Sequence, residues 1–129
     1  MSIDLLHEKI RKLKNPLIVD LTFTSENIPP ALLHECGNET DAFNLFCRKL
    51  MESLKGVVPG LRFSYSLFAL RGADGLALLS ELLAEAGKMG FFTLLDAPDV
   101  SSPVLASQTA EFLFSGDGFR SPDGVAVSP

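Results

Sequence analysis

The sequence predicts an α/β fold built on parallel strands, and two observations lead to this prediction. Short apolar runs of strand length recur along the chain, and amphipathic helical patterns separate them. The predicted order is a helix, then strand and helix alternating three times, then a strand. Repeated βα units require parallel strands joined by right-handed helical crossovers. An open doubly wound sheet and part of a (β/α)8 barrel both satisfy this order, and a complete barrel takes about 250 residues.

Four segments have the composition of strands, and three of them contain a charged residue. Asp20 lies inside the first, Arg62 interrupts the second, and Asp96 ends the third. In sheets covered by helices, ligand chemistry gathers where the strands end. Asp96 is therefore the first candidate for a functional residue. The four predicted strands are 17–23, 57–64, 91–96 and 125–127.

The predicted helices are placed by apolar residues at steps of three and four and by capping residues. Thr40 is a plausible N-cap, and Gly56 stands where a helix end favours positive φ. Ser102 and Pro103 match a cap followed by proline at the first helical position. Phe43 and Phe46, in the predicted helix that follows Thr40, are expected to lie in the core. The helices are predicted to begin at Ser2, Ala31, Thr40, Asp74 and Ser102.

Length and composition favour one soluble domain and exclude several classes of protein. The chain has 129 residues, of which 47% are hydrophobic, and its net charge is −5. Acidic chains are poor partners for a phosphate backbone, so no nucleic-acid partner is expected. No apolar run reaches the roughly 18 residues of a membrane span, and no signal peptide is recognisable. The prediction is a cytoplasmic protein without a membrane partner, whose two cysteines stay reduced and bind no metal.

Several segments in order resemble the N-terminal half of orotidine 5′-phosphate decarboxylase in its larger bacterial form. Each motif alone is weak evidence, but together they span almost the whole chain in the family's order. The chain is therefore predicted to be one partial (β/α)8-barrel domain over residues 1–129, with about half a barrel present, and to be truncated. The matching segments are 3–10, 14–16, 28–30, 57–62, 87–97 and 123–129.

The resemblance implies a homodimer with active sites near the subunit interface. It implies conversion of orotidine 5′-phosphate to uridine monophosphate (UMP) without a metal or organic cofactor. In the family, one carboxylate crowds the departing carboxylate, while a lysine stabilises the carbanion and protonates it. A fixed cation beside the carbon that gains charge stabilises the transition state more than the ground state.

Three residues are predicted to be catalytic by this resemblance. Asp96 matches the first aspartate of the family's catalytic run, and Arg62 stands where the family has a lysine. Asp99 matches the aspartate that reaches the partner subunit's site. The lysine expected two positions after Asp96 is missing, because Pro98 follows Ala97 directly. An isolated buried charge costs several kcal/mol, so Arg62 is expected to pair with Asp96 or Asp20.

Four residues are predicted to bind the substrate. Thr22 replaces the family's ribose-binding acid, and Asp20 lies two residues earlier on the same side of the strand. Ser101 and Ser102 precede a predicted helix and could donate hydrogen bonds to a phosphate there, although capping alone explains Ser102.

Two functions remain open from the sequence. The first is a truncated and divergent orotidine 5′-phosphate decarboxylase-like protein of pyrimidine biosynthesis, with orotidine 5′-phosphate or a UMP-like nucleotide as ligand. The second is a non-catalytic nucleotide-binding or regulatory protein that keeps the barrel scaffold. The missing lysine and the replacement at Thr22 motivate the second function.

Overall fold

Four parallel strands form a single sheet in the computed structural model, which describes residues 2–97, 102–114 and 122–127. The strand order is β1-β2-β3-β4, so each strand pairs with the next one along the chain. This arrangement confirms the predicted parallel α/β architecture. The first three strands are shorter than predicted, and the fourth begins one residue earlier than predicted at the same length. The bounds are β1 Ile18–Asp20, β2 Gly60–Ser64, β3 Phe92–Asp96 and β4 Gly124–Ala126.

Six α-helices and one 3₁₀ turn at Ser25–Asn27 accompany the strands in the described residues. None of these helices combines the length and apolar character needed to cross a membrane. Their bounds are α1 Ser2–Leu13, α2 Pro30–Cys36, α3 Glu39–Leu54, α4 Tyr65–Ala69, α5 Gly72–Lys88 and α6 Ala106–Phe114.

Two of the predicted helix starts are wrong. Asn38, and not Thr40, caps α3, because its side-chain oxygen accepts a hydrogen bond from the backbone N–H of Asp41 at 2.8 Å. Helix α6 begins at Ala106, since the chain first turns after Ser102, whose carbonyl accepts from the N–H groups of Leu105 and Ala106. The predicted positive φ of Gly56 is confirmed at 75°.

Helix α4 was not predicted, because its apolar residues continue the pattern of the preceding strand. Ser64 ends β2 and caps α4, accepting a hydrogen bond from the N–H of Leu67 at 3.4 Å. Helix α5 follows after a turn and begins two residues before the predicted start at Asp74. The second βα connection therefore contains an additional short helix.

The two faces of the sheet have different surroundings. Because side chains alternate along a strand, Leu61, Phe63 and Leu95 share one side, which we call the helical face. Each of these three is fully buried. The other side carries Asp20, Arg62 and Asp96 and is called the open face. The hydrophobic core therefore lies between the helical face and the helices.

Aromatic rings form a continuous part of this core, as predicted for the phenylalanines of α3. Phe43 is fully buried and stacks on Phe23 with ring centroids 4.7 Å apart. Its ring also meets Phe68 of α4 edge to face at 5.2 Å. Since aromatic pairs add roughly 0.5–1.5 kcal/mol beyond the area that they bury, these contacts hold α3 against α4 and against the segment that follows β1.

Helix α1 lies at the amino ends of the strands. The ammonium group of Lys9 donates to the carbonyl of Gly90 at 2.7 Å, just before β3. Asn15, which follows α1, donates to the carbonyl of Val57 at 2.9 Å, just before β2. Barrel and α/β sites form at the carboxyl ends of the strands. These ends therefore lie on the side of the sheet away from α1.

Paired hydrogen bonds between Thr93 and Asp123 fix the position of β4 beside β3. A carboxylate oxygen of Asp123 accepts from the backbone N–H of Thr93 at 2.9 Å. The hydroxyl of Thr93 in turn accepts from the backbone N–H of Asp123 at 3.0 Å. These contacts satisfy the buried polar side chain of Thr93 and set the register Leu94–Gly124 and Asp96–Ala126.

Gly75 allows α4 and α5 to cross closely. A Cβ atom at this position would overlap the carbonyl oxygen of Phe68 and would lie 2.6 Å from the Cβ atom of Arg71. Backbone atoms cannot move aside as a flexible side chain does. Gly87, on the same helix, has no neighbouring atom within 4 Å of a built Cβ.

We predict that Gly75→Ala destabilises the protein by about 1–3 kcal/mol through overpacking. Gly87→Ala is the matched control and should be neutral or stabilising by up to about 1 kcal/mol, because alanine favours the helix. Urea unfolding followed by circular dichroism measures both changes. Equal effects of the two substitutions would contradict the close crossing.

Burial controls the chemistry of Cys47. Its side chain is fully buried, and this burial raises the pKa of the thiol to about 12, while Arg71 and Arg48 act in the lowering direction. Cys36 is only partly buried. Because the thiolate is the reactive form of cysteine, Cys47 is protected both sterically and by its protonation.

We predict that a thiol reagent near neutral pH labels Cys36 in the native protein and reaches Cys47 only after unfolding. The raised pKa keeps the folded thiol neutral, so the folded state loses stability as the pH rises above 9.0, the ordinary value, towards 12. Mass spectrometry of labelled peptides, with and without urea, measures the reaction. Rapid labelling of Cys47 in the native state would be inconsistent with this account.

Candidate functional site

A chain of ion pairs crosses three strands on the open face. Arg62 of β2 donates from Nη1 to Oδ2 of Asp20 at 2.6 Å and from Nη2 to Oδ2 of Asp96 at 2.7 Å. The sequence left open whether Arg62 pairs with Asp20 or with Asp96. It pairs with both. We call Asp20, Thr22, Arg62 and Asp96 the charged cluster.

Sheet register explains why these residues meet. Asp20 and Arg62 are direct neighbours in the β1–β2 ladder. Arg62 faces Leu94 in the β2–β3 ladder, and Asp96 lies two residues further along β3. A two-residue step keeps the side chain of Asp96 on the same face as that of Leu94. The long side chain of Arg62 reaches diagonally across to Asp96 on the neighbouring strand. The cluster therefore lies towards the carboxyl ends of the strands.

Thr22 fixes the orientation of Asp20. The hydroxyl of Thr22 donates to Oδ1 of Asp20 at 2.6 Å, and its backbone N–H donates to the same oxygen at 3.0 Å. Both carboxylate oxygens of Asp20 are thus engaged, one by Thr22 and one by Arg62. Among the described residues, the hydrogen bond from Arg62 to Oδ2 is the one side-chain hydrogen bond that Asp96 makes.

The cluster is half-exposed and carries a net negative charge. Its two carboxylates outnumber its one guanidinium group, and the side-chain exposures are 35% for Arg62 and 41% for each aspartate. Water screens partly exposed pairs, so each ion pair contributes at most about 1 kcal/mol. The arrangement can hold strands in register and present a carboxylate oxygen to solvent.

The other predicted site residues are not brought to the cluster by any described contact. Asp99 and Ser101 lie outside the described residues. Ser102 is described, and its carbonyl supports the turn before α6. The hydrogen bonds of Thr22 to Asp20 were not predicted, although the two-residue spacing on one strand side was their signal. The roles of all these residues in catalysis or binding stay predictions.

A cavity lies at the carboxyl ends of the strands but does not include the charged cluster. Its volume is about 200 Å³, and its walls are mainly apolar. Tyr65 begins α4 directly after β2, and Ala97 follows β3, so the cavity lies where these two strands end. Within the described ranges, no group of three or more His, Cys, Asp or Glu residues could hold a metal ion. The cavity is lined by Tyr65, Ala97, Leu105, Gln108, Thr109, Phe112 and Leu113.

The sequence is similar to a curated protein of the family that the motifs suggested. It is 29% identical over 93 residues to the orotidine 5′-phosphate decarboxylase of Rhodopirellula baltica, a match covering 68% of this chain and 30% of the relative. No protein-family model matches the sequence. The resemblance inferred from the motifs is thereby confirmed, and the match spans less than a third of the relative's length.

Solved structures give the same fold. A Streptomyces avermitilis protein assigned as orotidine 5′-phosphate decarboxylase superposes with a TM-score of 0.74 at 24% identity, covering 99% of this chain and 44% of that one. UMP synthase of Leishmania donovani gives a TM-score of 0.70 at 23% identity, covering 98% and 24% of the two chains. At such identities the likeness shows the fold, and it confirms the predicted (β/α)8-barrel class with about half a barrel present.

We predict a measurable coupling between Arg62 and Asp96 in the free energy of unfolding. A double-mutant cycle with Arg62→Met and Asp96→Asn should give about 0.5–1 kcal/mol, the range of well-formed but partly exposed pairs. Near 1 M salt, where the screening length is about 3 Å, the coupling should shrink. Urea unfolding at both salt concentrations measures it.

Arg48 and Glu81 provide the control cycle. Nη2 of Arg48 lies 3.8 Å from Oε2 of Glu81, and the two side chains are 38% and 66% exposed. The coupling between Arg48→Met and Glu81→Gln should therefore be close to zero. If both cycles gave the same coupling, the three-strand ion pairs would have no special part in stability.

Proposed function

We propose that this chain is an orotidine 5′-phosphate decarboxylase-like protein of pyrimidine biosynthesis whose charged cluster contacts a UMP-like nucleotide. The observation that carries the proposal is the ion-pair chain of Asp20, Arg62 and Asp96 at the carboxyl ends of parallel strands. This is the edge at which barrel enzymes bind their ligands. Similarity to the Rhodopirellula baltica enzyme supports the choice of ligand class.

The roles of the cluster follow from its chemistry. Oδ1 of Asp96, to which no described residue donates a hydrogen bond, can accept one from a ribose hydroxyl or a ring N–H group. Arg62 holds Asp96 in place, and Thr22 holds Asp20 so that it can engage Arg62. In this proposal Asp96 is the ligand-contacting residue and Asp20, Thr22 and Arg62 are positioning residues. Asp99 keeps the catalytic role that the resemblance implies, and Ser101 and Ser102 keep the role of hydrogen-bond donors to a phosphate that their place before a helix suggests.

Efficient decarboxylation by this chain is not expected. The reaction needs a proton for the carbanion, and the resemblance assigns that proton to a lysine two residues after Asp96. Pro98 occupies this position. Arg62 supplies a cation, but an arginine side chain stays protonated in proteins, and both of its terminal nitrogens already donate to carboxylates.

The missing lysine is the observation behind the alternative function, a non-catalytic nucleotide-binding or regulatory protein with the barrel scaffold. The cluster would then serve recognition alone. We further propose that residues 1–129 act as one partial barrel domain, that the protein forms a homodimer in the cytoplasm, and that it uses no cofactor. Light scattering coupled to size exclusion tests the homodimer, and a monomer at micromolar concentration would argue against it.

We predict that UMP binds saturably in titration calorimetry, while orotidine 5′-phosphate loses its absorbance slowly or not at all. Arg62→Met should weaken UMP binding roughly tenfold or more, because it leaves two carboxylates uncompensated beside the ligand. Arg48→Met, away from the cluster, is the control and should bind UMP like the wild type.

The outcomes separate the two functions. Rapid turnover that Asp96→Asn abolishes would establish an enzyme and remove the non-catalytic alternative. Binding without turnover would support the alternative. If neither nucleotide produced heat, the proposed nucleotide site would be wrong.

A further inference from the structure

We infer that the cavity at the ends of β2 and β3 is a second binding site, which takes an uncharged six-membered lactam ring such as that of uracil. None of the residues of the charged cluster lines this cavity. Binding here is therefore independent of the proposed nucleotide site, and either site can exist without the other.

The cavity lies where α/β folds bind their ligands. Its walls come from Tyr65 directly after β2, Ala97 directly after β3, and the segment 105–113, which includes most of α6. Ligands of such folds gather at the carboxyl ends of the strands. Their sites are concave and mainly apolar, with a few polar groups that orient the ligand. This cavity has both properties.

The size of the cavity limits the size of the ligand. Its volume is about 200 Å³. Drug-sized ligands occupy pockets of roughly 300–1,000 Å³, whereas an engineered apolar cavity of about 150 Å³ binds benzene. One six-membered ring with small substituents therefore fits, and a complete nucleotide does not. A ligand can enter from solvent, because the lining residues Leu105 and Phe112 are 42% and 51% exposed.

The walls of the cavity favour an uncharged and flat ligand. The seven lining residues include no Asp, Glu, Lys, Arg or His. A charged group that entered would lose water without gaining an ion pair. Ala97 and Leu113 are buried and form an apolar wall, while the rings of Tyr65 and Phe112 offer flat surfaces against which another ring can pack.

Three polar side chains determine which groups the ring carries. Tyr65, Gln108 and Thr109 line the cavity, and no described residue forms a hydrogen bond with their side chains. An amide side chain offers a donor and an acceptor together, and a hydroxyl can act as either. The adjacent N–H and C=O groups of a lactam match this set. A purely apolar ring would displace water from these side chains without replacing its hydrogen bonds.

A titration of ¹⁵N-labelled wild-type protein with uracil, followed by two-dimensional NMR, tests the site. We expect saturable binding with a Kd on the order of 0.1–1 mM, the range open to so small a ligand. The shifted signals should concentrate at Ala97 and in α6. Benzene lacks the hydrogen-bonding edge and benzoate carries a charge, so each should bind roughly tenfold more weakly than uracil.

Two variants and a control locate the bound ring. Ala97→Leu fills the cavity and should abolish uracil binding, whereas Ala31→Leu makes the same change at an exposed position of α2 and should leave it unchanged. Gln108→Leu removes the amide and should weaken uracil binding roughly tenfold. Because Gln108 is exposed, this variant keeps the test valid even if Ala97→Leu fails to fold. Unchanged uracil binding in Gln108→Leu would overturn the inferred orientation of the ring and the site with it.

Competition with UMP separates this site from the proposed nucleotide site. Uracil should bind equally well in the presence of saturating UMP, and Gln108→Leu should bind UMP like the wild type. Displacement of uracil by UMP would place uracil at the charged cluster and overturn the second site. Tighter binding of benzene or benzoate than of uracil would also overturn it, as would shifts in α6 that follow protein concentration alone, since a second copy would then cover the cavity.

Failure of this site and failure of the proposed function have different signatures. No saturable binding of uracil to the wild type would remove the second site and leave the UMP site untouched. Binding of uracil without any binding of UMP would remove the proposed function and support the second site.

Discussion

The guanidinium group of Arg62 joins β1, β2 and β3 on the open face of the sheet. Its partners, Asp20 and Asp96, come from strands that do not pair with each other, so one side chain links three elements. Parallel strands joined by long crossovers have few local constraints on register. A charged side chain that finds both partners in only one register adds such a constraint, although exposure limits its energy.

The helical face supplies most of the stability. Phe63, Leu61 and Leu95 are fully buried there, and α4 reaches α5 only because Gly75 has no side chain. This division lets the open face tolerate charge and partial exposure at little cost to folding. A site can therefore diverge, as at Thr22 and Pro98, while the scaffold remains that of a barrel.

Strand and helix order could be predicted from the sequence because it depends on local periodicity. The sequence predicted that Arg62 pairs with an aspartate, because a charged residue inside a strand needs a partner. That it binds Asp20 and Asp96 together depends on register, which a strand's own residues do not reveal. Helix α4 and the start of α6 were missed, because Ser64 and Ser102 support turns that apolar patterns conceal.

The hydrogen bonds between Thr93 and Asp123 also determine how much space the cluster has. They set the register in which Ala126 stands beside Asp96 and Gly124 beside Leu94. A slip of one residue would exchange the faces and bring the larger Val125 next to Asp96. The small side chain of Ala126 thus leaves space beside Asp96, and the described residues of β4 add no charged side chain there. The space beside Asp96 therefore depends on Thr93 of β3 and on Asp123 just before β4, two residues that lie away from the cluster.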